Sequence, residues 1–210
     1  MSVQFFKAIT IPPPKDNIYC RLGHAKGLTQ VSAEQKEKIE TYLSEAVNLI
    51  ELKGAALRLP IEIMQDPVIK LSQEINLKSH SLIEFLKESK EVLLMGATAG
   101  TRIGEAIREN SSGKDVTRAV VFDATASEMV DEALSWIMNY MDRGLRRENK
   151  HLTKKRFSAG YGDFSLENQK IMYDTLRLAQ LGVQLTDKNI LIPEKSVTAV
   201  AGINVVCALP

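Results

Sequence analysis

The sequence predicts an α+β fold, and three observations carry that expectation. Residues 33 to 50 place Ile39, Leu43, Ala46, Val47 and Ile50 at the helical period, and Ser32-Ala33-Glu34-Gln35 ahead of them has the form of a capping box. Between 55 and 77 the pattern changes to alternation: Leu57, Leu59, Ile61 and Ile63, then Val68 and Leu71, then Ile75 and Leu77. Pro60 and Asp66-Pro67 punctuate this stretch, so it predicts two or three antiparallel strands. From 115 to about 148 the chain is strongly helical, and its last part holds two strand-like runs.

Taken in order, residues 3 to 11 (Val3, Phe5, Ala8, Ile9, Ile11) predict a strand that gives way to a stiff extended connector at Pro12-Pro13-Pro14. Asn17 to His24 follows, then a loop containing Gly27, then the capped helix, with Gly54 standing where a helix stop belongs. Ser79 and Ser81 can cap a short helix bearing Leu82, Ile83, Phe85 and Leu86, and the run Val92-Leu93-Leu94-Met95 has the length of a buried strand. It leads into Gly96-Ala97-Thr98-Ala99-Gly100-Thr101-Arg102-Ile103-Gly104, a glycine loop between strand and helix, where phosphate and dinucleotide sites occur. The spacing is neither Gly-x-Gly-x-x-Gly nor a P-loop, and close packing of strand on helix accounts for these glycines equally well.

The 115 to 148 stretch reads as two helices broken near Asp123 to Ser127, with Ala126, Val130, Ala133, Leu134, Ile137, Met138, Met141 and Leu145 on one apolar stripe. Its methionines read as core filler, and Asp131, beside the stripe, can present a carboxylate inward. Arg143 to Lys150 reads as an exposed helix end and connector. A helix then spans 166 to 181 and stops at Gly182, with Ser165 as its N-cap and Glu167 in its first turn. Ile190 to Pro193 and Val197 to Val206 are strand-like runs joined by Glu194-Lys195-Ser196. With no internal repeat, residues 1–210 are expected to form one domain whose N-terminal strand packs with the rest.

Composition narrows the function. Lys plus Arg number 27 against 26 Asp plus Glu, so a net charge of +1 offers no electrostatic case for nucleic acid or an anionic membrane. The two cysteines, Cys20 and Cys207, lie near opposite ends and build no zinc or iron-sulfur motif, which suits a reduced, cytoplasmic setting. The N-terminus is too short and broken for a signal peptide, and no apolar run is long enough to span a membrane. No Gly-x-Ser-x-Gly elbow or His-Glu-x-x-His motif occurs, and His24, His80 and His151 have no obvious partners. No catalytic residue and no metal site is expected; ligand recognition remains.

Recognition chemistry concentrates in Arg156-Phe157-Ser158-Ala159-Gly160-Tyr161-Gly162-Asp163. Arg156 offers a planar fork for a carboxylate or phosphate, and Gly160 and Gly162 allow a positive φ and close backbone approach. By spacing alone such a loop reads first as a tight turn from strand to helix, since loops rich in Gly, Ser and Asp are ordinary turn chemistry. The order of motifs tips the balance. Arg156, Gly160 and Tyr161, followed by Gly162-Asp163, Leu185-Thr186-Asp187 and Pro193-Glu194-Lys195-Ser196-Val197, resemble the activation domain of vitamin B12-dependent methionine synthase. The resemblance extends through Arg21-Leu22-Gly23-His24, Gly96-Ala97-Thr98-Ala99-Gly100 and Ala126-Ser127-Glu128-Met129-Val130-Asp131, so it spans nearly the whole chain.

That resemblance implies an antiparallel sheet flanked by helices and a domain that supplies S-adenosylmethionine to remethylate a cobalamin oxidised to cob(II)alamin, with an electron from a flavodoxin-type donor. It implies that Arg156 holds the ligand carboxylate, that Ser158, Ala159, Gly160 and Tyr161 line the ligand, and that Tyr161 and Gly162 face the cobalamin. Asp131, or Glu132 with a one-residue shift, stands where the family usually has a glutamate contacting the amino-acid end of the ligand. The family has proline after the tyrosine, where this chain has Gly162. Homocysteine, folate and cobalamin modules do not fit in 210 residues, so the chain is expected to act in trans as a component of cobalamin-dependent methionine synthase activity. An accessory or sensor role for another corrinoid methyltransferase, or nucleotide binding at Gly96 to Gly104, stays open as an alternative.

Overall fold

In the computed structural model, residues 2–24, 32–72 and 75–205 are described; Cys207, Val206 and the expected loop around Gly27 lie outside them. Among the described residues, seven strands form one antiparallel sheet: β1 (Gln4–Phe6), β2 (Lys53–Gln65), β3 (Val68–Leu71), β4 (Ile75–Lys78), β5 (Glu91–Thr98), β6 (Lys150–Leu152) and a strand at Ser196–Val205. Two short strands, β7 (Gln184–Leu185) and β8 (Leu191–Ile192), pair separately, which makes the 196–205 strand β9. The order is β4-β3-β2-β5-β9-β6, with β1 on the first half of β2. The alternation over 55–77 therefore resolves into three strands, and β1 joins the N-terminus to them in the register Gln4 to Ala56.

Helices α1 (Lys15–Arg21), α2 (Ala33–Leu49), α4 (Thr101–Glu109) and α5 (Val116–Leu145) lie toward one face, while α3 (His80–Leu86) and α6 (Glu167–Leu176) cover the other. Strand periodicity sorts the core accordingly. Leu93, Met95, Ala199, Ala201 and Ile203 pack toward α5, whereas Leu57, Leu59, Val92, Leu94 and Val200 pack toward α3 and α6. Because both faces of β5 are covered, Val92 to Met95 reads as an unbroken apolar run. Ser32 caps α2 through a reciprocal box with Gln35, and Ser79 Oγ caps α3 by accepting from Leu82 N.

Four expectations change. The helix α2 stops at Leu49 and passes into extended backbone at Ile50, and Gly54 sits inside β2. A Cβ there would lie 2.6 Å from Ile137 Cδ1 on α5, so this glycine serves close packing. The α5 helix is continuous over 30 residues, with no break at Asp123 to Ser127. That stretch holds neither Gly nor Pro, and Ala124, Thr125 and Ala126 are buried where α5 is packed on two sides, with the Thr125 hydroxyl donating to Val121 O at 2.7 Å. The 166–181 helix is split: α6 ends at Leu176, Arg177 after it adopts φ 52, and a 3-10 turn over Leu178–Leu181 leads to Gly182 at φ 80. The turn buries Leu178 against Gly96. Finally, the Arg143 to Lys150 stretch is more than a connector, since Lys150 belongs to β6 and pairs with Glu91 at 2.6 Å, while Arg58 bridges Glu91 and Glu148. Among the described residues no helix is long and apolar enough to cross a membrane.

Candidate functional site

The 156–163 loop is anchored to the sheet before it turns. Phe157 makes an antiparallel bridge to Val200 of β9, its N–H donating to Val200 O at 2.8 Å and its carbonyl accepting from Val200 N at 2.7 Å. Successive side chains of an extended backbone point to opposite faces, and the loop uses that property. Phe157 goes into the α3 and α6 core beside Phe85 and Phe164, while Arg156 goes to α5. There its Nη2 lies 2.6 Å from Asp131 Oδ2 and donates to Asp131 O at 3.1 Å, and its Nη1 donates to Ser135 Oγ at 3.2 Å. The guanidinium is only 21% exposed and the carboxylate 60%, so the pair sits at a surface edge with the acid facing solvent. Of the two acidic residues considered, Asp131 is the one that meets Arg156.

Beyond Phe157 the chain reverses tightly. Gly160 at φ 91 and Gly162 at φ 57 take the left-handed region, and Gly160 N donates to Phe164 O at 2.7 Å. This lifts Tyr161 to 71% exposure at the tip. Asp163 closes the loop against α3. It accepts from Ser79 Oγ at 2.8 Å, from His80 N at 2.5 Å and from Ser81 N at 3.2 Å, tying the loop to the start of α3. Hydrogen bonding from Ser81 first, then from Ser79 and the two backbone amides, holds its carboxyl down at about 2.

A depression borders the loop and adjoins a second beside α5; a third, of about 330 Å³, opens at the far end of the loop, where Asp163, Ser79, His80 and Asn168 line it. The first, of about 190 Å³, has Ser158, Ala159 and Tyr161 on one side, Ile190 and Leu191 on another, and Gln169 and Thr198 among its lining. The second, also about 190 Å³, is lined by Asp131, Val130, Ser127 and Arg21. They share Glu194, Ser196 and Val197, so the turn into β9 forms a common wall between them. Each falls short of the roughly 300 Å³ at which small-molecule sites begin. Lys195 fixes the wall to α5, with its Nζ 2.6 Å from Asp123 Oδ1 and donating to Ser127 Oγ at 2.9 Å. On the rim, Arg21 Nε donates to Glu128 at 2.6 Å, which joins two of the separated motifs.

The predicted residues are thus partly gathered. Arg156 and Asp131 touch, Ser158, Ala159 and Tyr161 line the first depression, and Asp131 lines the second. Gly160 and Gly162 shape the backbone instead. Sequence reasoning missed Gln169. It lies in the apolar row Gln169, Met172, Leu176 of α6 and is only 5% exposed; its Oε1 accepts from Thr198 Oγ1 at 3.0 Å, while its Nε2 has no hydrogen-bond partner among the described residues. A polar residue on an apolar helix row was the available signal, and leaving such a donor unpaired costs about 1–3 kcal/mol.

The rival glycine loop is closed. Ala99 N donates to Lys195 O at 2.8 Å, Gly100 N donates to Thr98 Oγ1 at 3.2 Å, and a Cβ on Gly96 or Gly100 would press on Leu178 or Glu51. Among the described residues no three His, Cys, Asp or Glu side chains group as metal ligands would.

The sequence matches no known family profile and no curated protein. Among solved structures, the chain is similar to one described as the MetH reactivation domain bound to AdoHcy, with a TM-score of 0.67 and 13% identity, covering 96% of this chain and 78% of that one. At that identity the likeness establishes the fold: an α+β architecture with an antiparallel sheet flanked by helices, as in the MetH reactivation domain.

Proposed function

We propose that this chain binds S-adenosylmethionine along the 156–163 loop and acts in trans in the reductive methylation of cob(II)alamin on a cobalamin-dependent methionine synthase. The observation that carries the reading is the Arg156–Asp131 pair beside two depressions that share one wall. A guanidinium and a carboxylate side by side suit the carboxylate and ammonium of an amino-acid end, which separates this ligand from a plain nucleotide. Arg156 has five donors, so it can hold a ligand carboxylate without releasing Asp131. The unpaired Gln169 amide and the apolar sides at Ala159, Leu166 and Val197 fit a flat ligand body with a polar edge.

The sulfonium supplies a methyl group that is already activated, so the chain's residues need only bind and orient. Tyr161 and Gly162, at the outer tip, are the residues assigned to face the partner's cobalamin. Titration calorimetry tests the ligand: S-adenosylmethionine should bind saturably, and ATP and NAD poorly. A clear preference for ATP would sink the reading. The partner is tested by mixing the protein with S-adenosylmethionine, a reduced flavodoxin-type donor and a methionine synthase that lacks its activation module. Return of the methylated cobalamin spectrum is expected; no return would assign the chain to another corrinoid methyltransferase.

A further inference from the structure

We infer that Gln169 is the specificity-determining residue for the ligand's base, its side-chain amide reading the edge of an adenine ring. This rests on the S-adenosylmethionine reading above and concerns the other end of the ligand from Arg156. A core position in the row Gln169, Met172, Leu176 would be filled equally well by leucine or methionine, yet it holds an amide whose Nε2 is buried and unpaired among the described residues. Buried donors are almost always satisfied in folded proteins, so an unsatisfied one lining a depression calls for an acceptor from outside the chain. Thr198 Oγ1, 3.0 Å from Oε1, orients the amide and uses one of the two lone pairs of that oxygen. One donor and one free lone pair therefore stand side by side.

That pattern is the complement of adenine, whose N6 amine donates next to an accepting ring nitrogen, and glutamine pairs with this edge in two-point fashion. Guanine and hypoxanthine carry an oxygen where adenine has its amine, which would set acceptor against acceptor at Oε1. Reversing the amide swaps the order of donor and acceptor, so the ring would bind turned over; at the N6/N7 edge hypoxanthine still offers two acceptors, O6 and N7, and one of them meets Oε1 in either orientation. The surroundings fit a single ring system: about 190 Å³, with Ala159, Leu166, Leu191 and Val197 offering apolar contact for ring faces.

The experiment is calorimetry on the whole protein with S-adenosylhomocysteine and with S-inosylhomocysteine, its deaminated analogue. Wild type should bind the adenosyl compound and lose about tenfold or more in affinity for the inosyl one. Gln169→Met should lose affinity for the adenosyl compound by a similar factor and no longer distinguish the two. A glutamine that served only packing would not move that ratio. Should Gln169→Met fail to fold, Gln169→Leu, the other apolar filler of this row, removes donor and acceptor alike and should also lose the preference, and the adenosyl-to-inosyl ratio of wild type tests the inference without any variant. Equal binding of both compounds by wild type, or a ratio unchanged in the variants, overturns the inference and leaves the S-adenosylmethionine reading standing. Binding of neither compound by wild type overturns both.

Discussion

The two glycine-bearing segments, 96–104 and 156–163, look like rivals in sequence and differ in kind once folded. In the first, Gly96 admits Leu178, and Gly100, at φ 80 and ψ 176, turns the chain into α4. The N–H groups of Ala99 and Gly100 are spent on Lys195 O and Thr98 Oγ1. In the second, Gly160 and Gly162 throw the backbone outward and leave Ser158, Ala159 and Tyr161 along an open depression. Glycine marks close approach in both cases: Leu178 packs on Gly96 inside the core, and Leu166 packs on Gly160 at the edge of a surface depression. The two segments also cooperate. The Ala99 to Lys195 hydrogen bond braces the 194–197 wall from behind, so the closed loop buttresses the open one.

The contrast can be broken first at Gly96. Gly96→Val would place its Cβ 2.8 Å from Leu178 Cδ2 in a filled core, which should destabilise by about 1–3 kcal/mol. For a chain of this size the thermal midpoint should fall by roughly 2–4 °C per kcal/mol. Gly100→Ala should act alike, because its φ and ψ lie where only glycine sits without strain. Ligand affinity below the midpoint should change little. If either variant is stable and fails to bind S-adenosylmethionine, the closed loop is the site after all.

Arg156 sharpens the other side of the comparison. Charge-assisted hydrogen bonds to a ligand carboxylate are worth roughly 1.5–3 kcal/mol, so Arg156→Ala should weaken S-adenosylmethionine binding about 10- to 100-fold, and Arg156→Lys should fall between. The midpoint without ligand should stay near wild type, since Asp131, 60% exposed, returns to water when its partner leaves. Retained affinity in Arg156→Ala, read by calorimetry, would make the 156–163 loop merely structural.

Asp163 gives a smaller effect with a pH signature. Its folded carboxyl is held at about 2, against 3.8 ordinarily, so its contribution is complete above the ordinary value and is lost as pH falls through about 2. Asp163→Asn should therefore lower the midpoint by a constant amount from pH 7 down to about 5, and the gap to wild type should close between about pH 4 and 2. A gap that persists in acid would mean that shape, and not charge, ties the loop to α3. The smallest effect on stability belongs to Tyr161, whose ring is largely exposed. Tyr161→Ala should shift stability by no more than about 0.5 kcal/mol, weaken S-adenosylmethionine binding less than Arg156→Ala does, and slow cobalamin methylation in trans. Unchanged turnover would remove Tyr161 from the partner-facing surface.

The local rules were legible in the chain itself. The Ser32 capping box, the alternation over 55–77 and the apolar run at Val92 to Met95 report forces that act within a few residues, and each appears in the fold. Arg156 and Tyr161 were visible because few residue types can clamp a carboxylate or present an aromatic face. Where reading failed, the deciding contact came from far along the chain. Gly54 resembled a helix stop until Ile137 approached it, and the small residues at 123–127 resembled a break until α1, α2 and the sheet packed around them. The pairing of Asp131 with Arg156 and the unpaired amide of Gln169 belong to the same class. Sequence alone determined the elements and the chemistry available at the loop, because propensity and periodicity are local. Only the tertiary structure decided which glycine loop stays open and which polar groups are left without partners, because burial and hydrogen-bond satisfaction depend on atoms that the chain brings together only by folding.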